Sequence, residues 1–110
     1  MTDYIVESES KCGANPRRCW MNIGVNKLEQ AAREKQKYYF SFRIDGEEIL
    51  YSCPSEELLM AFKSKSVSIM EGYAKYSFYT DYANGLIFGS VSANDVTPVM
   101  RLTQESRKPL

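Results

Sequence analysis

Apolar and polar residues alternate with period two over two stretches, roughly 38–53 and 73–93, and a turn dipeptide interrupts each: Asp45-Gly46 in the first, Asn84-Gly85 in the second. Alternation is the mark of a strand with one buried face, and Asp-Gly or Asn-Gly between two such runs is the strongest short-range hairpin signal. The first hairpin is therefore expected over 38–44 and 47–53. A two-residue loop fixes its register: Ile44 opposite Glu47, Arg43 opposite Glu48, Phe42 opposite Ile49, Phe40 opposite Tyr51. Phe40, Phe42, Ile49 and Tyr51 then share the core face, and Arg43 meets Glu48 on the other as a cross-strand ion pair. A slip of one residue would destroy both matches.

The same rule applied to Asn84-Gly85 gives strands 73–82 and 86–93, pairing Tyr82 with Ile87, Thr80 with Gly89, Phe78 with Val91 and Tyr76 with Ala93. The face opposite that core set carries Tyr73, Lys75, Tyr79, Asp81 and Phe88.

Two segments change to helical spacing. Residues 26–37 place Leu28, Ala31 and Ala32 on a narrow apolar stripe, with Asn26 as N-cap and Glu29 three residues on. Residues 55–65 open on Pro54-Ser55, carry Glu56 and Glu57 in the first turn, where the helix dipole favours anions, and bury Leu58, Leu59 and Phe62. Between this helix and the second hairpin, 66–70 reads as a short strand ending at Gly72. Residues 96–103 read as a last strand that Pro98 confines to a sheet edge.

These elements predict an α+β fold: an antiparallel sheet of four to six strands built from two hairpins, with one or two helices packed on one face. An irregular N-terminal arm (1–20), a single domain (21–103) and a polar C-terminal tail (104–110) complete the expected organisation, with Tyr4-Ile5-Val6 as a possible short edge strand.

Composition narrows function mainly by exclusion. The 110 residues suffice for one domain, and equal numbers of basic and acidic residues give zero formal charge, unlike a duplex-binding protein. There is no apolar run long enough to span a bilayer, and the opening Met1-Thr2-Asp3-Tyr4 has no secretory pattern, so no membrane partner is expected. Histidine is absent, which removes Ser-His-Asp and Cys-His nucleophile pairs, histidine bases and Cys/His zinc sites. No catalytic residues, metal or cofactor are therefore expected. Three cysteines, Cys12, Cys19 and Cys53, fit free thiols in a reducing, cytoplasmic setting better than a disulfide scaffold, with a Cys12–Cys19 bridge as the rival. Arg17 and Arg18 would lower the pKa of a free Cys19.

The expected function is a small non-enzymatic protein that docks to another protein and inhibits or modulates it, in the manner of immunity or antagonist proteins. Its candidate contacts are the wet-face aromatics Tyr39, Tyr73, Tyr79 and Phe88, with Arg43 and the cluster Arg17, Arg18 and Trp20. A homodimer through the same face is an alternative occupant. The alternative function is a binder of single-stranded nucleic acid or nucleotide. It rests on Lys37-Tyr38-Tyr39-Phe40-Ser41-Phe42-Arg43, where rings alternate with basic residues. Glu47, Glu48, Glu56 and Glu57 oppose a nucleic-acid partner and suit structural roles.

Overall fold

The computed structural model describes residues 4–8, 18–44, 46–65, 67–70, 72, 74–90, 92 and 94–109. The described chain runs β1 (Tyr4–Ser8), β2 (Arg18–Gly24), α1 (Val25–Arg33), β3 (Lys37–Ile44), β4 (Glu47–Pro54), α2 (Ser55–Ser64), β5 (Ile69–Met70), β6 (Lys75–Asp81), β7 (Leu86–Phe88), β8 (Met100–Arg101) and β9 (Thr103–Pro109). The fold is α+β with two helices, as expected. The two hairpins, however, lie in separate sheets. The first sheet has the order β1-β3-β4-β9, and the second runs β2-β6-β7-β8 with β5 also paired to β6. All ladders are antiparallel except β1–β3.

The β3–β4 register is the one the alternation dictates, from Ile44 opposite Glu47 to Phe40 opposite Tyr51. Gly46 takes φ +76° to close its turn. Phe40 and Phe42 are fully buried, and Ile49 and Tyr51 nearly so. From the second sheet, Cys19, Met21, Ile23, Phe78 and Ile87 enter the same core, as do Leu28 and Ala31 of α1 and Leu58 and Phe62 of α2. Phe40 meets Phe78 edge-on at 6.2 Å between centroids, and Phe62 lies 5.0 Å from Phe78. One core thus joins both sheets and both helices, and each sheet turns its other face outward.

The second hairpin departs from its expected register by two residues. Tyr79 pairs with Phe88, Thr80 with Ile87 and Asp81 with Leu86, so the loop has four residues, not two. The cause is Asp81. Its Oδ1 accepts the Ala83 and Asn84 N–H groups at 2.9 and 3.1 Å, its Oδ2 accepts from Asn84 Nδ2 at 3.0 Å, and Gly85 N–H closes on the Asp81 carbonyl at 2.8 Å. An aspartate that satisfies the turn in this way stabilises the wider loop. A shift of two preserves side-chain parity, so Tyr76, Phe78, Thr80 and Ile87 are buried as the pattern required.

Helix α1 begins at Val25 with Gly24 as N-cap, ahead of the expected Asn26, because the Ala74 carbonyl takes the Val25 N–H at 2.9 Å. It ends at Arg33, short of residue 37. Lys35 adopts φ +55°, its N–H reaches the Ala32 carbonyl, and Gln36 N–H reaches that of Ala31, a Schellman closure that frees Lys37 for β3. The Gln36 carbonyl then accepts both the N–H and the hydroxyl of the fully buried Ser55, at 3.0 and 2.5 Å, which fixes the start of α2 to the end of α1.

β1 lies at a sheet edge and includes the short strand expected at Tyr4-Ile5-Val6, while further strands fall where irregular chain was expected. β1 and the start of β2 fall within 1–20, and β9 occupies the region expected as a tail. Backbone pairing explains β9: β4 has an edge whose polar groups need partners, and a polar strand supplies them as well as an apolar one. Its ladder is offset between Leu50 and Tyr51, and Glu105 at that bulge accepts the Ser52 hydroxyl at 2.6 Å. Expected strand 96–103 reduces to β8, after which buried Leu102 carries the chain from the second sheet into the first.

Candidate partner-binding surface

The outer face of the second sheet carries a cross-strand row of rings. Trp20 on β2 lies opposite Tyr79 on β6, and Tyr79 lies opposite Phe88 on β7. Alternation in β2 produces this: Cys19, Met21 and Ile23 point into the core, so Arg18, Trp20 and Asn22 point out. Trp20 donates Nε1–H to the Ser77 hydroxyl at 2.7 Å, a diagonal contact that holds the indole across the sheet. Trp20 and Tyr79 are half-buried and keep part of their surface in solvent.

Phe88 is a correction. It lies on the outer face as expected, yet it is only 4% exposed. The Arg18 guanidinium stands over its ring, 3.7 Å from the centroid. Arg18 itself is buried at 7% exposure. Its Nη1 donates to the Ser90 and Ser92 carbonyls at 2.8 and 2.6 Å, and its Nη2 donates to that of Asp95 at 2.7 Å. These contacts hold the described residues beyond β7 to Arg18, and β7 ends at Phe88, short of the expected residue 93. Asp81, the cross-strand neighbour of Arg18, has its carboxylate engaged by the 82–85 turn. Arg18 is therefore held by neutral carbonyls and a ring face.

Tyr39 and Arg43 occupy a different surface, the outer face of the first sheet, with the shared core between them and the Trp20 row. Tyr39 is half-buried opposite Ser52, and Arg43 is exposed opposite Glu48. Ser41 and Ser52 on that face are 3% and 2% exposed, and Ser41 donates to Glu48 at 2.9 Å. The expected residues thus divide into Arg18, Trp20, Tyr79 and Phe88 on one sheet and Tyr39 and Arg43 on the other. Arg17 and Tyr73 lie outside the described residues. In the ring-and-basic stretch 37–43, Tyr38, Phe40 and Phe42 are buried at 2%, 0% and 0% exposure, which leaves Tyr39 as its ring on the outer face, between exposed Lys37 and Arg43.

The cysteine chemistry also differs from expectation. Cys19 is disulfide-bonded, so it presents no thiolate, and three free thiols are ruled out. Cys53 is a free, buried thiol, and Cys12 lies outside the described residues. The disulfide removes the free-thiol argument for a reducing, cytoplasmic setting. Burial, followed by the nearby Glu57 carboxylate, pushes the Cys53 thiol up to about 12, which leaves it protonated and unreactive at neutral pH. Burial, then Glu29, also raises the Tyr76 hydroxyl. Among the described residues, no group of three or more Cys, Asp or Glu is arranged to hold a metal ion, and no helix is long and apolar enough to cross a membrane.

A feature without a sequence signal is an open groove of about 380 Å³ between α1 and α2, whose apolar lining is Ala32, Leu59 and Met60. Met60 is 70% exposed, and Glu29 and Lys63 face each other across the groove at 3.9 Å. Comparison of the chain with protein-family models, with curated proteins and with solved structures gave no match.

Proposed function

We propose that this chain is a non-enzymatic binding protein that docks to another protein through the outer face of its second sheet and thereby inhibits or modulates it. The observation that carries this reading is the adjacent pair Trp20 and Tyr79, partly exposed on a regular sheet while the other large rings on its described strands are sealed. Aromatic side chains supply large contact area at low entropic cost and dominate protein interfaces. The Trp20–Ser77 hydrogen bond holds the indole in place before contact, which lowers the ordering cost of binding. Tyr39 and Arg43 stand on the opposite surface and do not contribute to this contact.

The test is affinity capture from the source cells with wild-type protein and with Tyr79→Ala, alongside thermal melts of both. Loss of a specific partner by Tyr79→Ala at unchanged melting temperature supports the reading. Retention of every partner by Tyr79→Ala and by Trp20→Phe rejects this face. A concentration-dependent doubling of mass, abolished by Tyr79→Ala, would assign the face to a second copy of the chain instead.

A further inference from the structure

We propose that Arg18 is a latch, and that the chain between Phe88 and Val99 is a strap that opens as a unit and uncovers Phe88, extending the partly exposed pair Trp20–Tyr79 to a row of three rings. This goes beyond the docking reading and is tested without a partner.

Three observations carry it. First, the described residues of the strap contain no helix or strand, and Gly89, Ser92, Asn94, Val96 and Thr97 are exposed. The hydrogen bonds within the strap are local: Ser92 N–H to Ser90 Oγ, Asn94 N–H to Ser92 Oγ, and Asp95 N–H to the Ser92 carbonyl. Second, among the described residues its hydrogen bonds to the sheet, short of Val99, converge on one side chain: the Ser90, Ser92 and Asp95 carbonyls all accept from Arg18. Third, the same guanidinium covers the Phe88 ring. Among the described residues no carboxylate pairs with this buried cation, and Asp81, the one placed by register to do so, is engaged elsewhere. A buried guanidinium that faces neutral acceptors has no opposite charge to offset its desolvation, so opening the strap returns the cation to water without breaking an ion pair. Segments with exposed backbone and no helix or strand to hold them are where sub-global opening occurs.

The experiment is residue-resolved amide hydrogen exchange on the whole protein. In wild type, the amides of Ser92, Asn94 and Asp95 are followed across low urea concentrations, with Phe42 and Ile49 in the β3–β4 ladder as reference. The latch predicts that the three strap amides exchange through an opening with little urea dependence, while the reference amides follow global unfolding. Arg18→Gln should speed exchange of the strap amides by about tenfold or more and leave the reference amides unchanged. Phe88→Leu, which keeps the position apolar but removes the ring face, should shift them in the same direction. If the wild-type strap amides exchange only with the reference ladder, the strap does not open by itself and the proposal fails. It fails equally if a folded Arg18→Gln leaves them unchanged. If Arg18→Gln does not fold, the wild-type urea series decides.

Discussion

The ring of Tyr51 fills the space where a side chain at Gly85 would begin. A Cβ built on residue 85 would sit 2.5 Å from one ring carbon of Tyr51 and 2.8 Å from the next. The Tyr51 hydroxyl donates to the Tyr82 carbonyl at 3.0 Å, so the first sheet holds the second hairpin's loop from inside. Gly85 also needs φ +69°, and two separate demands therefore fall on one position.

Gly85→Ala combines the strain of a left-handed backbone with a clash against a ring that has little room to move. It should destabilise the protein by about 2–4 kcal/mol. Gly46→Ala is the control: φ is +76° there, yet nothing lies within 4 Å of the added methyl, so it should lose only about 1 kcal/mol. Urea titration of both variants measures the difference. Equal losses would show that the Tyr51 contact is slack.

Phe88→Ala should lower stability by about 3 kcal/mol, because it opens a void beneath Arg18 at a position 4% exposed. Tyr79→Ala, one strand away and half-exposed, should change it by about 1 kcal/mol or less. Thermal or urea unfolding separates the two. The order decides which ring of the row is structural and which is free to contact a partner.

Stability should fall as the solution becomes alkaline. Cys53 in the folded protein titrates near about 12, well above an exposed thiol. Between roughly pH 9 and 12 the unfolded chain has released this proton and the native state has not. The native state is thus the better proton binder, and each pH unit in that window removes roughly 1.4 kcal/mol. Tyr76 acts in the same direction at higher pH. Urea midpoints at pH 8, 9 and 10 should decline, and Cys53→Val should flatten the decline between pH 9 and 10.

Lys35→Gly should stabilise the protein by about 1 kcal/mol. Lys35 occupies φ +55° at the end of α1 and is exposed, so glycine relieves backbone strain there without losing a packed side chain. A rise in the urea midpoint at constant slope checks it. A fall would mean that the lysine stem or its charge outweighs the strain.

The first hairpin was legible to the residue because two independent constraints, turn chemistry and charge matching at Arg43 and Glu48, pointed to one register. The second had only its turn dipeptide, and the Asp81 carboxylate widened that loop; the core face survived because the error was even. Tyr79 and Trp20 could be placed on an outer face by counting. Burial of Phe88 could not, because it depends on Arg18 reaching carbonyls 72 to 77 residues away, acceptors that every residue possesses and no sequence pattern marks. The division into two sheets was hidden for a similar reason. Strand β9 is held to β4 by backbone pairing, and its polar composition resembles that of a tail.

Leu102 is a direct link between the two sheets. Its N–H is bound by the Gly85 carbonyl at 2.7 Å, its neighbours on either side belong to different ladders, and its side chain is anchored in the common interior. Tension applied to β9 is transmitted through a single peptide to the loop that Tyr51 grips. The chain has to bring distant segments together to complete either layer. Folding on the slow, millisecond-to-second side of the range for domains of this size is the consequence.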